Sequence, residues 1–407
     1  MLLPASSPEE AAIAVNSLGV DLLAGKELRT GNVVISPLSI QSAMAMAYAG
    51  ADGKTRTEMA RVLHYPDNEA LLQDSMAALL ADLRKFSPSG NDSSGRSGGS
   101  GKNMNPVALV VANRLFGQHD FAFRRPFLDV LEKSYQAPLQ RADFASRPDG
   151  ERKTINDWVA ETTRRKIQDL IPPGGVAKDA RLVLVNAVWL KAPWASPFDK
   201  SETKPAPFTL ADGQSVDVPT MVKELHAGYR HQGGYSTIVL PYDQTELQFV
   251  VFLPDRADGL PALEKKLDAV MLDAAAKTPV QRMVLHLPKF RMTPPVLPLG
   301  GTFRAMGMAT AFDQPKGSAN FDRMAPRKAD GYLFLSEVFH ETFFSLDEEG
   351  TEAAAATAVV GYGGSLERVE PPEIRIDRPF LFAIQHRASG TCLFLGRLAD
   401  PRNKKAQ

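Results

Sequence analysis

The chain has a single cysteine, Cys392, among 407 residues, so no intrachain disulfide can form. Cys392 lies between Thr391 and Leu393 in an apolar, strand-like run, which reads as a buried, inert thiol. Net charge is also missing: 47 Lys and Arg balance 47 Asp and Glu, which gives no support for a nucleic-acid or polyanion binder. A local basic patch, Arg164, Arg165 and Lys166, reads as a solvated helix face. No run approaches about eighteen consecutive apolar residues, so no membrane span is expected. Residues 1–10 lack a basic start and a long apolar core, so they are no signal peptide as they stand. There is no Gly-x-Ser-x-Gly elbow, no His-Glu-x-x-His pair and no phosphate-cradling Gly-x-x-x-x-Gly-Lys-Ser/Thr loop. The 7 histidines are scattered singly; His226 and His231 come near each other only in a glycine-rich turn context. Neither catalysis, a metal site nor a cofactor is expected.

Length alone allows two or three domains, but no composition break or internal repeat divides the chain, and residues 8–403 read as one domain. Residues 8–25 carry Ala12, Ile13, Val15, Leu18, Leu22 and Leu23 at helical spacing. Val33 to Ile35 read as a strand, and Ser36 offers a cap to a helix over 39–49 that Gly50 ends. Helices are expected over 55–63, 69–86, 127–135, 152–163 and 260–277. The Ser/Gly-rich stretch 87–105 cannot bury apolar area and reads as a flexible insertion ahead of a strand at 107–115. Residues 181–191 form a nearly continuous apolar run, as a strand buried on both faces requires. Alternating strands fill 205–253, with turns at Ala211-Asp212-Gly213 and Gly233-Gly234. Further strands are expected over 284–291, 332–346, 374–384 and 391–398, so the class is α+β with large sheets.

The most informative stretch is 347–359. It opens with Asp347, Glu348, Glu349 and Gly350, runs through Thr351, Glu352 and four alanines, Ala353 to Ala356, and continues with β-favouring Thr357, Val359 and Val360. Alanine favours helix. Gly350 on one side and Gly361, Gly363 and Gly364 on the other leave only about ten residues, marginal for a helix in water. The run also lacks the apolar stripe that would dock a helix. Small, unbranched side chains instead suit a backbone that slips between two others. From Gly350 to Gly364 there are 15 positions and no proline, enough for an extended span of roughly 50 Å.

Residues 348–357 resemble the hinge of the reactive-centre loop in serpins, the serine protease inhibitor family. Other segments match in the same order: Ser36-Pro37-Leu38-Ser39-Ile40, Leu184 to Ala187 with Lys191, Trp194, Pro197 and Phe198, His286 to Phe290, and Phe380 to Pro401. The resemblance covers roughly residues 8–403 and implies the serpin fold: three β-sheets, about eight or nine helices and an exposed reactive-centre loop over 347–372. It implies a protease inhibitor rather than an enzyme. In this family a protease attacks the loop, an acyl-enzyme forms, and the severed arm enters the central sheet as a new strand before hydrolysis finishes.

The resemblance also assigns roles. Glu348, Glu349, Gly350, Thr351, Glu352, Ala353, Ala354, Ala355 and Ala356 form the hinge. Ser36, Ser39, Asn186 and His340 match the shutter, where polar groups knit the sheet. Trp194, Lys289 and Glu348 match the breach, where the loop first enters, Lys289 and Glu348 as a charge pair. Counting from Gly350 puts the reactive bond at Gly364–Ser365; Tyr362, Leu366 and Arg368 are alternatives that would suit aromatic-, aliphatic- or arginine-preferring proteases. The implied partner is a serine protease, or a cysteine protease, in a covalent one-to-one complex with a monomeric inhibitor. The expected location is extracellular or the cell envelope, with any leader absent from this sequence; an intracellular one stays open. A non-inhibitory carrier or chaperone of the same fold is the alternative, though its hinge would carry bulky or charged residues.

Overall fold

The computed structural model describes residues 8–66, 68–86, 107–328, 331–351 and 370–402. The insertion expected at 87–105 and residues 352–369 lie outside the described residues.

Two hydrogen-bonded sheets organise the chain. The seven-stranded sheet runs in the order Phe290–Met292, Leu335–Leu346, Gly350–Thr351, Leu182–Pro193, Ala108–Gln118 and Gln140–Ala142, with Leu297–Pro298 pairing on Leu335–Leu346 off that path. Leu182–Pro193 is apolar along its length because it is covered on both faces. Leu182, Leu184, Val188 and Leu190 face the main core, while Val183, Val185, Ala187 and Trp189 join Ile155 and Val159 of helix Pro148–Thr162 on the other side. The period-2 alternation of a strand therefore sorts one sequence run into two cores.

The nine-stranded sheet contains Val33–Ile35, Thr391–Leu398, Phe380–His386, Leu247–Pro254, Tyr235–Pro241, Ser215–Gln232, Val280–Pro288 and Glu373–Arg375, with Lys204–Thr209 at the side of Ser215–Gln232. The 18-residue strand Ser215–Gln232 runs through it, joining two of the three expected sheets edge to edge. Nine α-helices are present among the described residues.

Several expectations shift in detail. The helix expected over 260–277 is two short ones, Leu260–Glu264 and Ala269–Ala275. The chain turns extended at Asp268, whose side chain accepts from the Met271 amide and starts a new helix. The strand expected over 284–291 divides after Pro288, and that over 374–384 divides around Pro379, since proline cannot donate to a ladder. Ile13, assigned to the apolar stripe of the first helix, is 61% exposed. Arg164, Arg165 and Lys166 lie beyond helix Pro148–Thr162, not on its face; Arg164 and Arg165 take left-handed backbone angles in the turn that follows. Cys392 is buried, and burial pushes its thiol above the usual range.

Candidate functional site

The site is the seam between Leu335–Leu346 and Leu182–Pro193. These strands are non-adjacent in sequence yet pair directly and in parallel, from Leu335↔Leu182 to Phe343↔Trp189. At its upper end the seam is already parted. Gly350 and Thr351 lie between the strands, antiparallel to both: Thr351 pairs with Leu346 on one side, and Gly350 and Thr351 pair with Pro193 and Ala192 on the other.

A tight turn delivers this wedge. The Asp347 amide donates to the Gly350 carbonyl (2.9 Å), and the Asp347 carboxylate accepts from the amides of Glu349 (2.9 Å) and Gly350 (3.3 Å). Gly350 sits at φ +151°, and a Cβ there would lie 2.1 Å from the Ala192 carbonyl oxygen. Only glycine fits both the angle and the approach.

The turn is gripped from outside. The Trp194 amide donates to the Glu349 carbonyl (2.8 Å), the Phe198 amide to the Glu348 carbonyl (2.7 Å), and the Trp194 indole to the Asp347 carbonyl (2.9 Å). The Glu348 side chain is only 4% exposed and meets Lys289 Nζ at 2.8 Å and the Thr203 hydroxyl at 2.9 Å. Burial opposes its charge, but hydrogen bonds from Lys289, the backbone and Thr203 outweigh that and hold its pKa below the usual carboxylate range. Lys200 donates to Glu349 at 2.6 Å. Below the wedge, Trp194 stacks on Tyr242 with centroids 4.8 Å apart and planes 4° from parallel. The Tyr242 hydroxyl hydrogen-bonds the hydroxyl of buried Thr351.

Midway down the seam, His340 and Asn186 face each other in register. The Ser36 amide donates to His340 Nε2 (3.1 Å), so that nitrogen carries no proton, and Nδ1–H donates to the Asn186 side-chain oxygen. Asn186 donates onward to the Ser39 hydroxyl and to the Asn113 side-chain oxygen. Asn113 donates to the Ser39 carbonyl (3.0 Å) and to Ser42. The Ser36 hydroxyl donates to the Leu393 carbonyl (2.6 Å) and caps the Ser39 amide. Burial lowers the pKa of His340 to about 3, despite the hydrogen bond at Asn186. A neutral, fully bonded cluster thus ties the first long helix after Ser36 to both strands of the seam.

The structure thereby brings Ser36, Ser39, Asn186 and His340 together, and Trp194, Lys289 and Glu348 together around the turn. Glu349 lies in the turn, and Gly350 and Thr351 form the wedge; Glu352 to Ala356, and Gly364, Ser365, Tyr362, Leu366 and Arg368, lie outside the described residues. Sequence reasoning missed Asn113, Ser42, Thr203, Lys200 and Tyr242. Asn113 left a trace: it interrupts the apolar run Val110-Val111-Ala112 on a strand, as Asn186 does on its own. His226 and His231 form no metal group; His231 pairs with Asp255 (3.0 Å), and no metal-capable cluster occurs among the described residues.

Residues 14–401 match the family model of Serpin (serine protease inhibitor). The chain is 37% identical over 379 residues to the leukocyte elastase inhibitor of Xenopus tropicalis, which covers 91% of this chain and 94% of that protein. It is 33% identical over 389 residues to serpin B3 of Homo sapiens, covering 92% and 95% respectively. The crystal structure of the thermophilic serpin tengpin in its native state superposes with a TM-score of 0.82, at 25% identity, covering 96% of this chain and 94% of that one. The parted seam, its clamped turn and this chain-long similarity make the protein a member of the serpin family of protease inhibitors.

Proposed function

We propose that this serpin is a single-use trap that forms a covalent one-to-one complex with a serine or cysteine protease, as a monomer. Its loop carries the reactive bond Gly364–Ser365, with Tyr362, Leu366 and Arg368 as alternative sites of attack. Residues 348–356 act as its hinge; Trp194, Lys289 and Glu348 hold the entry point; Ser36, Ser39, Asn186 and His340 hold the seam closed.

The observation that carries this reading is the wedge: Gly350 and Thr351 already pair with both strands where the seam opens. Continuing the same registers sets position 353 against Leu190 and Phe344, and position 357 against Asn186 and His340. The stretch Gly350–Gly361 then fits Leu182–Pro193 residue for residue. Thr351, Ala353, Ala355, Thr357 and Val359 fall on the main-core side. The Thr357 hydroxyl reaches the place where His340 now donates to Asn186 and offers both a new partner. One parallel ladder of eight registered pairs is exchanged for two antiparallel ones. At about 1 kcal/mol net per added ladder residue, the gain is on the order of 10 kcal/mol.

The non-inhibitory alternative is not favoured, since the relatives carry inhibitor names and no bulky residue occurs from Thr351 to Ala356. They lend no support to the extracellular or cell-envelope expectation, and an intracellular location is allowed. No helix of the described residues is long and apolar enough to cross a membrane. The test is incubation with a panel of serine and cysteine proteases, leukocyte elastase among them. A detergent-stable adduct and a released C-terminal peptide starting at Ser365 are expected. Loop cleavage without any adduct would refute trapping, and a peptide starting elsewhere would relocate the reactive bond.

A further inference from the structure

Residues 194–203 form a strap between strand Leu182–Pro193 and strand Lys204–Thr209, and the strap grips the turn 347–350. It is held from the other side by Lys223, a half-buried residue of strand Ser215–Gln232, whose Nζ donates to the Pro197 carbonyl at 2.6 Å. Burial draws this ammonium below its usual pKa range, and Asp199 of the strap works against that shift. The charge is therefore taken partly out of water to bond a backbone carbonyl. An apolar side chain would pack against the strap without that desolvation cost, so packing alone does not account for a lysine here.

The peptide group that Lys223 bonds is the one that holds the turn. The Pro197 carbonyl and the Phe198 amide are two ends of a single planar peptide, and that amide donates to the Glu348 carbonyl at 2.7 Å. The Glu348 carbonyl and the Glu349 amide are again one peptide, and that amide donates to the Asp347 carboxylate at 2.9 Å. A chain of hydrogen bonds thus runs from an ammonium, through two peptides, to a carboxylate, with every donor pointing the same way. Opposite charges at its two ends polarise both peptides in one sense, so each bond strengthens the next. The middle bond lies at the short end of the usual N–H···O range, as that polarisation requires. The neighbouring grips differ: the Trp194 amide on the Glu349 carbonyl joins two neutral groups, and Lys200 reaches Glu349 from a mostly exposed position.

We propose that Lys223 is a positioning residue for loop insertion: it fixes the peptide between Pro197 and Phe198, and through it the turn from which Gly350 and Thr351 enter the seam. An entering strand needs a fixed starting register, because a slip of one residue turns its other face to the core. A fixed turn supplies that register before any further residue pairs. Lys223 acts through the turn, so its effect falls on the race between insertion and hydrolysis and not on the attack of the protease.

This inference rests on the insertion reading, and two readouts separate them. Lys223→Met keeps the length of the side chain and removes its charge. In that protein, checked for wild-type melting, hydrogen exchange of the peptide covering 346–351 is expected to speed up by roughly two- to tenfold, while that of 182–189 stays as in the wild type. This readout needs no protease. With a protease that the wild-type protein traps, the variant is expected to be attacked at the wild-type rate and to consume roughly two- to fivefold more inhibitor per adduct. Lys223→Arg, which restores a charged donor, should bring both values back toward the wild type. Unchanged exchange at 346–351, or slower attack with unchanged consumption per adduct, would overturn the proposal and leave the insertion reading standing. A wild-type protein that forms no adduct with any protease would overturn the insertion reading and this proposal with it.

Discussion

Replacing Gly350 by alanine tests the wedge most sharply. At φ +151° an L-residue is strained by about 1–3 kcal/mol. The added Cβ would lie 2.1 Å from the Ala192 carbonyl oxygen and 2.7 Å from the Pro193 Cα, both rigid backbone atoms of a central strand. Relief requires the turn to back out by close to an ångström. The two wedge residues contribute ladder bonds of about 1 kcal/mol each, roughly 2 kcal/mol together. Strain and clash therefore exceed what holds the wedge, and Gly350→Ala is expected to expel Thr351 from between Leu346 and Ala192. Hydrogen exchange followed by mass spectrometry reads this directly: protection in the peptide covering 346–351 should fall, while that of 182–189 should not. Protease trapping should then consume more inhibitor per adduct, because insertion starts one step further back. Unchanged protection at 346–351 with wild-type adduct yield would refute the steric argument.

Other expectations follow from the same contacts. Lys289→Ala leaves the nearly buried Glu348 carboxylate with Thr203 and backbone partners only; a loss of about 1–2 kcal/mol is expected in denaturant unfolding, discounted because Lys289 is itself 44% exposed. Because the folded state holds Glu348 below the usual carboxylate pKa, this clamp is present above that value and is lost as pH falls through the lowered one, so the variant's deficit should vanish in strong acid. His340, held neutral with a pKa of about 3, contributes stability above pH 6.5 that drains away as pH falls toward 3; His340→Gln should flatten the melting temperature over that window. Glu341 runs the other way: burial, with Asp169, raises its pKa to about 7, so its penalty grows as pH rises through 7. Glu341→Gln should therefore raise the melting temperature more at pH 8 than at pH 5.

What was readable in the sequence follows from the range of the interactions. Ser36 before Pro37, the apolar run through Leu182–Leu190 and the paired glycines at 233–234 act within a few residues, and each produced the expected cap, strand or turn. Pro288 and Pro379 are equally local signals: a residue with no amide to donate interrupts each ladder where the apolar pattern alone continues. The cluster at His340 was half legible: its members lie far apart in sequence, and Asn113 and Ser42 join only because one strand and one helix face happen to meet there. The Trp194–Tyr242 stack could not be read at all. It exists through register, and register is set by long-range pairing of whole strands.

The central claim is that the closed seam is higher in energy than the one filled by the loop. It is tested most directly by the melting temperature before and after a single nick in the loop, near Gly364. Unfolding entropy of about 2.1 cal/mol/K per residue gives roughly 0.85 kcal/mol/K for 407 residues, so a gain on the order of 10 kcal/mol predicts a rise of about 12 °C. A nicked protein that melts at the temperature of the intact one would contradict the account.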